Sequence, residues 1–241
     1  MKLILTILVS FICIVSLADE TVKKEFPSLG LKVFSFRNTS GDTKISVSGN
    51  GFTHISFHKV LFGENCEMKM ERMGDELVVE VNNKGVFNSG ECTVNFDIKI
   101  PKRISLQLRS GSGNFDVKGT KGEIEFKLGS GNVKVQAEVE KLEGIIGSGS
   151  VDVSGLQGDV DVKTGSGKIV LKYLSAIEKG RLDIKTGSGT ATAFFPPTMK
   201  VISQIKSESG NVNNELGESQ DAHFIVSMKS GSGDLTIKKL R

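Results

Sequence analysis

The 241-residue chain has no tryptophan, one tyrosine, four prolines, three cysteines and three histidines. Each scarcity excludes something. With aromatics at 6% there are few rings on which sugars or bases could stack, and any core must be aliphatic. Proline is too rare for a Pro-rich disordered chain, and glycine, at 28 residues, is far below the third that collagen requires. A formal charge of +3 is too balanced to point to nucleic acid. No CxxC occurs and no histidine flanks a cysteine, which leaves no zinc-site spacing. His54 and His58 would lie about 13 Å apart along a strand, too far to share a metal, and His223 stands alone. We expect no metal, no cofactor and no catalytic residue.

Long apolar runs are also absent after the N-terminus. There, Lys2 precedes the apolar Leu3–Val15 run, and Ser16-Leu17-Ala18 supplies small residues. This pattern predicts a signal peptide over residues 1–18, cleaved between Ala18 and Asp19. The run is too short to span a bilayer, and Ser10-Phe11-Ile12 before Cys13 is not a lipidation box. The mature chain is therefore expected to be exported, without a transmembrane segment, to the periplasm, the cell surface or the medium. In that oxidising setting Cys66 and Cys92 are expected to form a disulfide.

Twenty of the 28 glycines follow residue 100. Gly-Ser-Gly recurs at Gly111/Gly113, Gly129/Gly131, Gly147/Gly149, Gly165/Gly167, Gly187/Gly189 and Gly231/Gly233, with a degenerate copy ending at Gly210. The second glycines are 18 to 23 residues apart. Alternating apolar pairs flank each copy: Leu106/Leu108 before and Phe115/Val117 after the first, Val160/Val162 and Ile169/Leu171 around the fourth. Alternation of period two is a strand with one face buried, and a fixed period near twenty is a stacked repeat. The predicted fold is all-β, a β-solenoid of the β-helix or β-roll kind with two short strands per rung, separated by glycine turns. Residues 19–100 are expected to form irregular first rungs and a cap, continuous with the regular solenoid of 101–241. Phe194-Phe195-Pro196-Pro197 predicts a loop over 194–200 that bulges from the stack.

The segment Ile98-Lys99-Ile100-Pro101, followed by Arg109-Ser110-Gly111-Ser112-Gly113-Asn114-Phe115-Asp116-Val117, resembles the bacterial putative-adhesin β-strand-repeat proteins, an exported family of unknown function. The resemblance runs from about residue 30 to 238. It implies a β-solenoid at the cell surface or in the envelope and implies no catalytic set.

The repeated serines recur too often to be one nucleophile, and Gly-Ser-Gly is not the nucleophile elbow. A calcium roll would need serial aspartates after the second glycine, where this chain has Asn114, Asn132, Ser150 and Lys168. What does recur is charge. Two residues before the first glycine stand Arg109, Lys127, Lys163, Lys185, Lys206 and Lys229, interrupted by Ile145; two residues earlier stand Gln107, Glu125, Glu143, Asp161, Asp183, Gln204 and Ser227. In register these make a basic column beside an acidic one. Either the columns balance each other and keep the face soluble, or the basic column meets an anionic ligand. The expected function is non-enzymatic: an adhesin-like surface or envelope interaction module whose ligand is a protein, glycan or lipid head group. The alternative is a structural or sensor protein of the envelope that binds anionic lipid or polysaccharide. An enzyme acting on polysaccharide is a third, weaker reading, because the sequence offers no long loop except around 194–200 and 213–223 and few aromatics for sugar stacking.

Overall fold

A computed structural model describes residues 21–85 and 92–240. The signal peptide expected over residues 1–18, with Cys13 and the expected Ala18–Asp19 cleavage position, lies outside the described residues. Among the described residues fourteen strands join in one sheet: β1 (Val22–Pro27), β2 (Val33–Asn38), β3 (Thr43–Val47), β4 (Phe52–Phe62), β5 (Cys66–Met73), β6 (Glu76–Asn83), β7 (Cys92–Ile100), β8 (Ser105–Ser112), β9 (Phe115–Tyr173), β10 (Lys179–Phe195), β11 (Ile202–Ser209), β12 (Val212–Asn214), β13 (His223–Ser232) and β14 (Leu235–Lys239). The chain is all-β and solenoid-like. The alternation explains the strands directly: Leu106, Leu108, Ile124, Phe126, Val133, Val135, Val151 and Val153 are buried, and the residues between them face outward.

Most of the glycine corners differ from the expected turns. The 59-residue β9 passes through three Gly-Ser-Gly copies without a break. The corner residues pair too: Ser188 lies opposite Ser166 and Gly189 opposite Gly167, so the ladder bends at the corner and continues. This needs glycine for two reasons. Gly131 and Gly149 have φ of +131° and +136°, and a Cβ on either would run into the carbonyl oxygen of the glycine one rung below. Among the Gly-Ser-Gly copies and the degenerate one, the corner separates two strands at Gly113, Gly210 and Gly233: β8 from β9, β11 from β12 and β13 from β14. Beside the glycine column runs a ladder of side-chain amides. The Asp42 carboxylate accepts hydrogen bonds from the Asn114 backbone N–H (3.1 Å) and Nδ2 (2.8 Å). Asn114 Oδ1 accepts from Asn132 in the same way at 3.0 and 2.9 Å, and Asn132 Oδ1 accepts from the Ser150 N–H. At these corners the polar residue after the second glycine therefore satisfies the next rung's backbone, and Asp234 does the same for the Asn211 N–H.

Chain order and stacking order part at both ends. β2 lies between β6 and β8, with Phe34 opposite both Leu77 and Leu106. β3 lies between β7 and the start of β9. Gly41, with φ +112°, takes the corner place beneath Gly113. Residues 33–47 are thus a stacked unit met well before the regular repeat, and residues 52–100 leave and return outside it. At the other end β13 and β14 slip between β10 and the pair β11 and β12: Lys185 lies opposite Lys229, and Lys229 opposite Lys206.

The place of Gly233 is corrected by this insertion. In chain order it is the last corner, following Gly210. In space it is an interior corner between Gly189 and Gly210. A Cβ on Gly233 would strike the Gly189 carbonyl oxygen, and a Cβ on Gly210 would strike that of Gly233. The Gly233 N–H donates to the Ser209 carbonyl at 2.7 Å, and its own carbonyl accepts from Ser207 Oγ at 2.9 Å. The degenerate copy, sixth in sequence, is therefore outermost in space. Its composition gives the reason. Asn213, Asn214 and a half-exposed Val212 would make a poor interior layer, whereas Phe224, Val226, Met228, Leu235 and Ile237 are buried and fill one. Asn214 instead ties the 215–222 loop, donating to Gly217 and Glu218 and accepting from the N–H groups of Leu216 and Gly217.

The 194–200 bulge is also corrected. β10 runs through Phe194 and Phe195, and the loop begins at Pro196. Phe195 is fully buried, stacked on Tyr173 at 5.0 Å, with Phe224 edge-on to Tyr173 at 5.3 Å. The three rings supply volume to a part of the core where Ala191 and Ala193 are small. At the opposite end Phe34, Phe36, Phe96 and Phe115 cluster. There β5 covers β6, and β4 and β1 extend β7, all antiparallel. Gly74-Asp75 turns β5 into β6. A disulfide joins Cys66 to Cys92, with Cα atoms 5.7 Å apart. It fastens the outer hairpin to β7.

Candidate charged face

Outward positions repeat at the rung period because inward ones do. On the face before the glycine corner, three columns run along the stack. From Ser105 to Lys163, four rungs carry Arg109, Lys127, Lys141 and Lys163 against Glu123, Glu125, Glu143, Asp159 and Asp161. These cations are engaged. Lys127 lies 2.8 Å and Arg109 3.6 Å from Glu125, Lys163 lies 3.2 Å from Asp161, and Lys141 lies 2.6 Å from Glu143. The hydrogen bond from Lys127 holds the Glu125 carboxyl below the ordinary carboxylate range.

The sign of the face then changes. In the same three columns the last three rungs carry Arg181, Lys185, Lys229 and Lys206 against Asp183 alone. Arg181 is bound to Asp183. Partial burial works to raise the Asp183 pKa, but hydrogen bonds from Arg181 and Ser227 outweigh it and the carboxyl is held low. In the acidic column the next two rungs have Ser227 and Gln204. Among the described residues Lys185, Lys229 and Lys206 form no ion pair, and all three are exposed. The structure therefore brings all six basic-column residues into one line and divides them into a paired half and an unpaired half. Ile145, 49% exposed, marks a gap in the paired half. There a concavity of about 550 Å³ is lined by Arg37, Asn38, Arg109, Lys127 and Ile145, and Arg37 is 4.0 Å from Glu80.

Two features escaped the sequence reading. Ser40-Gly41-Asp42 is a repeat corner, and Arg37 extends the basic column opposite Arg109. The signal was present, since Ser-Gly-x-x-x-apolar recurs at Ser40–Ile45, but one copy so far from the others carried no period.

The histidines remain apart from this face's charged columns. His54 lies on β4, 3.0 Å from Glu25 and 2.8 Å from Asn50. His223 opens β13 opposite Lys179. Among the described residues no three histidine, cysteine or acidic side chains gather as metal ligands, and no helix is long and apolar enough to cross a membrane.

No curated protein matches the chain. Similar solved structures include a "putative adhesin" of Bacteroides fragilis (13% identity, 92% of this chain and 98% of the other, TM-score 0.48). They also include a "putative lipid binding protein" of Parabacteroides distasonis (16%, 93% and 98%, 0.48) and a "putative cell adhesion protein" of Clostridium sporogenes (14%, 92% and 100%, 0.41). A family model matches residues 35–241, from β2 to the C-terminus, and by that match the chain belongs to the Toastrack DUF4097 family.

Proposed function

We propose that the mature chain is an exported, non-enzymatic interaction module, adhesin-like, that presents the outer face of its β stack to a surface or envelope ligand. The observation that supports this most is the ordered face itself: charges held in register on a continuous ladder, with the core behind them closed by apolar side chains. Export rests on the N-terminal segment, and the Cys66–Cys92 disulfide fits an oxidising compartment. A catalytic groove would need acids and a base converging on a cleft; here the acids stand on a ladder, paired with neighbouring cations. Purified mature protein should bind isolated envelope fragments saturably. Binding that rises linearly without saturation would contradict the proposal.

A second reading has its own support. A structural or sensor protein that binds anionic lipid or polysaccharide would use the unpaired half of the basic column, Lys185, Lys229 and Lys206, whose exposure supports it.

A further inference from the structure

We infer that the Lys185–Lys229–Lys206 line is a docking track for a linear acidic polysaccharide laid along the stack axis. The inference rests on the binding reading above and names its ligand class. The three lysines occupy adjacent rungs in direct register, so they repeat at about 4.8 Å. An extended chain of uronic-acid-type sugars advances by a similar step per residue and carries an anion on each. The next column is about 7 Å away along the strands. On these rungs it holds Asp183, already bound by Arg181, then Ser227 and Gln204. On the other side, Ser188, Ser232 and Ser209 lie in register and are exposed, a row of hydroxyls suited to sugar oxygens. Glu208 is the nearest further acid along the outer strand, and Lys179 and His223 lie at the far end of the same rungs.

The pattern favours a line over a plane. A flat anionic membrane resting on this face would meet Asp183 and the five acids of the preceding rungs as well as the lysines. A polymer following one column meets only the cations. Three aligned ammonium groups with no ion-pair partner among the described residues are open to an incoming anion, whereas Lys127 and Lys163 would first have to leave Glu125 and Asp161.

The test is a binding titration of the full mature protein with polygalacturonate oligomers at low salt, with dextran and with phosphatidylglycerol vesicles as comparisons. Wild type should bind polygalacturonate, not dextran, and lose affinity as salt rises. The K185Q/K206Q/K229Q variant should bind at least about tenfold more weakly, and K127Q/K163Q within about threefold of wild type. Melting temperatures unchanged in both variants would show that folding is intact. Equal losses in the two variants, or no polygalacturonate binding, overturn the inference. Vesicle binding with the same lysine dependence would overturn it in favour of a membrane surface. Saturable envelope binding together with failure on polygalacturonate would sink this ligand class and leave the interaction module standing.

Discussion

Single residues carry the stack in two different ways. Gly131 and Gly149 are required for backbone reasons, through positive φ and the carbonyl oxygen pressed against each Cα. Gly131→Val should cost at least about 3 kcal/mol, read as a lowered denaturation midpoint; an unchanged midpoint would contradict the corner assignment. Asn114 is required for its side chain, which both donates to Asp42 and accepts from Asn132. Asn114→Ala should cost about 1–2 kcal/mol, measurable by the same unfolding. Glu138 links two lysines, 3.0 Å from Lys102 and 2.8 Å from Lys121, and their hydrogen bonds hold its pKa at about 2. Because the folded pKa is lowered, the stabilisation is fully present above the unfolded value near 4.5 and fades as the pH falls toward 2. Melting curves from pH ~5 to ~2 should therefore fall more steeply for wild type than for Glu138→Gln; parallel curves would exclude the linkage. Corner glycines were legible in the sequence because only glycine fits and the spacing repeats. The amide ladder was not read, because Asn, Ser and Lys alternate in that column and only three-dimensional register shows which neighbour each one serves.

Among elements, the inward alternation from Leu106 to Ile184 was legible, since a strand with one buried face writes its period into the chain. Stacking order was not. Every rung carries the same in-and-out pattern, so the pattern says that rungs stack and leaves open which stack on which. That is why the place of residues 33–47 within the stack and the insertion of β13 and β14, with Gly233 as their interior corner, were not legible, and why Phe194-Phe195-Pro196-Pro197 reads as loop. The order can be tested by cysteine pairs. Thr192 lies opposite Thr236, whereas serial stacking would place it beside Asn213. Air oxidation should cross-link T192C/T236C and leave T192C/N213C open, since a disulfide needs Cα atoms within about 7 Å; the reverse result would contradict the insertion. The native Cys66–Cys92 bridge closes 27 residues at the other end, and its removal should cost about 3–4 kcal/mol, read as a fall in the melting temperature under reducing conditions.

Across the whole molecule, stacking order arranges charge. A chain with a formal charge of only +3 places five acids along the preceding rungs of one face and, among the described residues, leaves three lysines without an ion pair on the last three. The sequence showed the two columns and the neutral Ser227 and Gln204 in the second; it could not show which rungs touch, and so which cations find a carboxylate partner. If the face works as proposed, binding belongs to the unpaired end. The most direct measurement is retention of purified protein on isolated envelope fragments, compared between wild type, K185Q/K206Q/K229Q and R109Q/K127Q/K163Q. The account predicts that the first variant loses retention by about tenfold or more and the second stays within about threefold of wild type. Equal retention by all three, or equal loss in both variants, would contradict it.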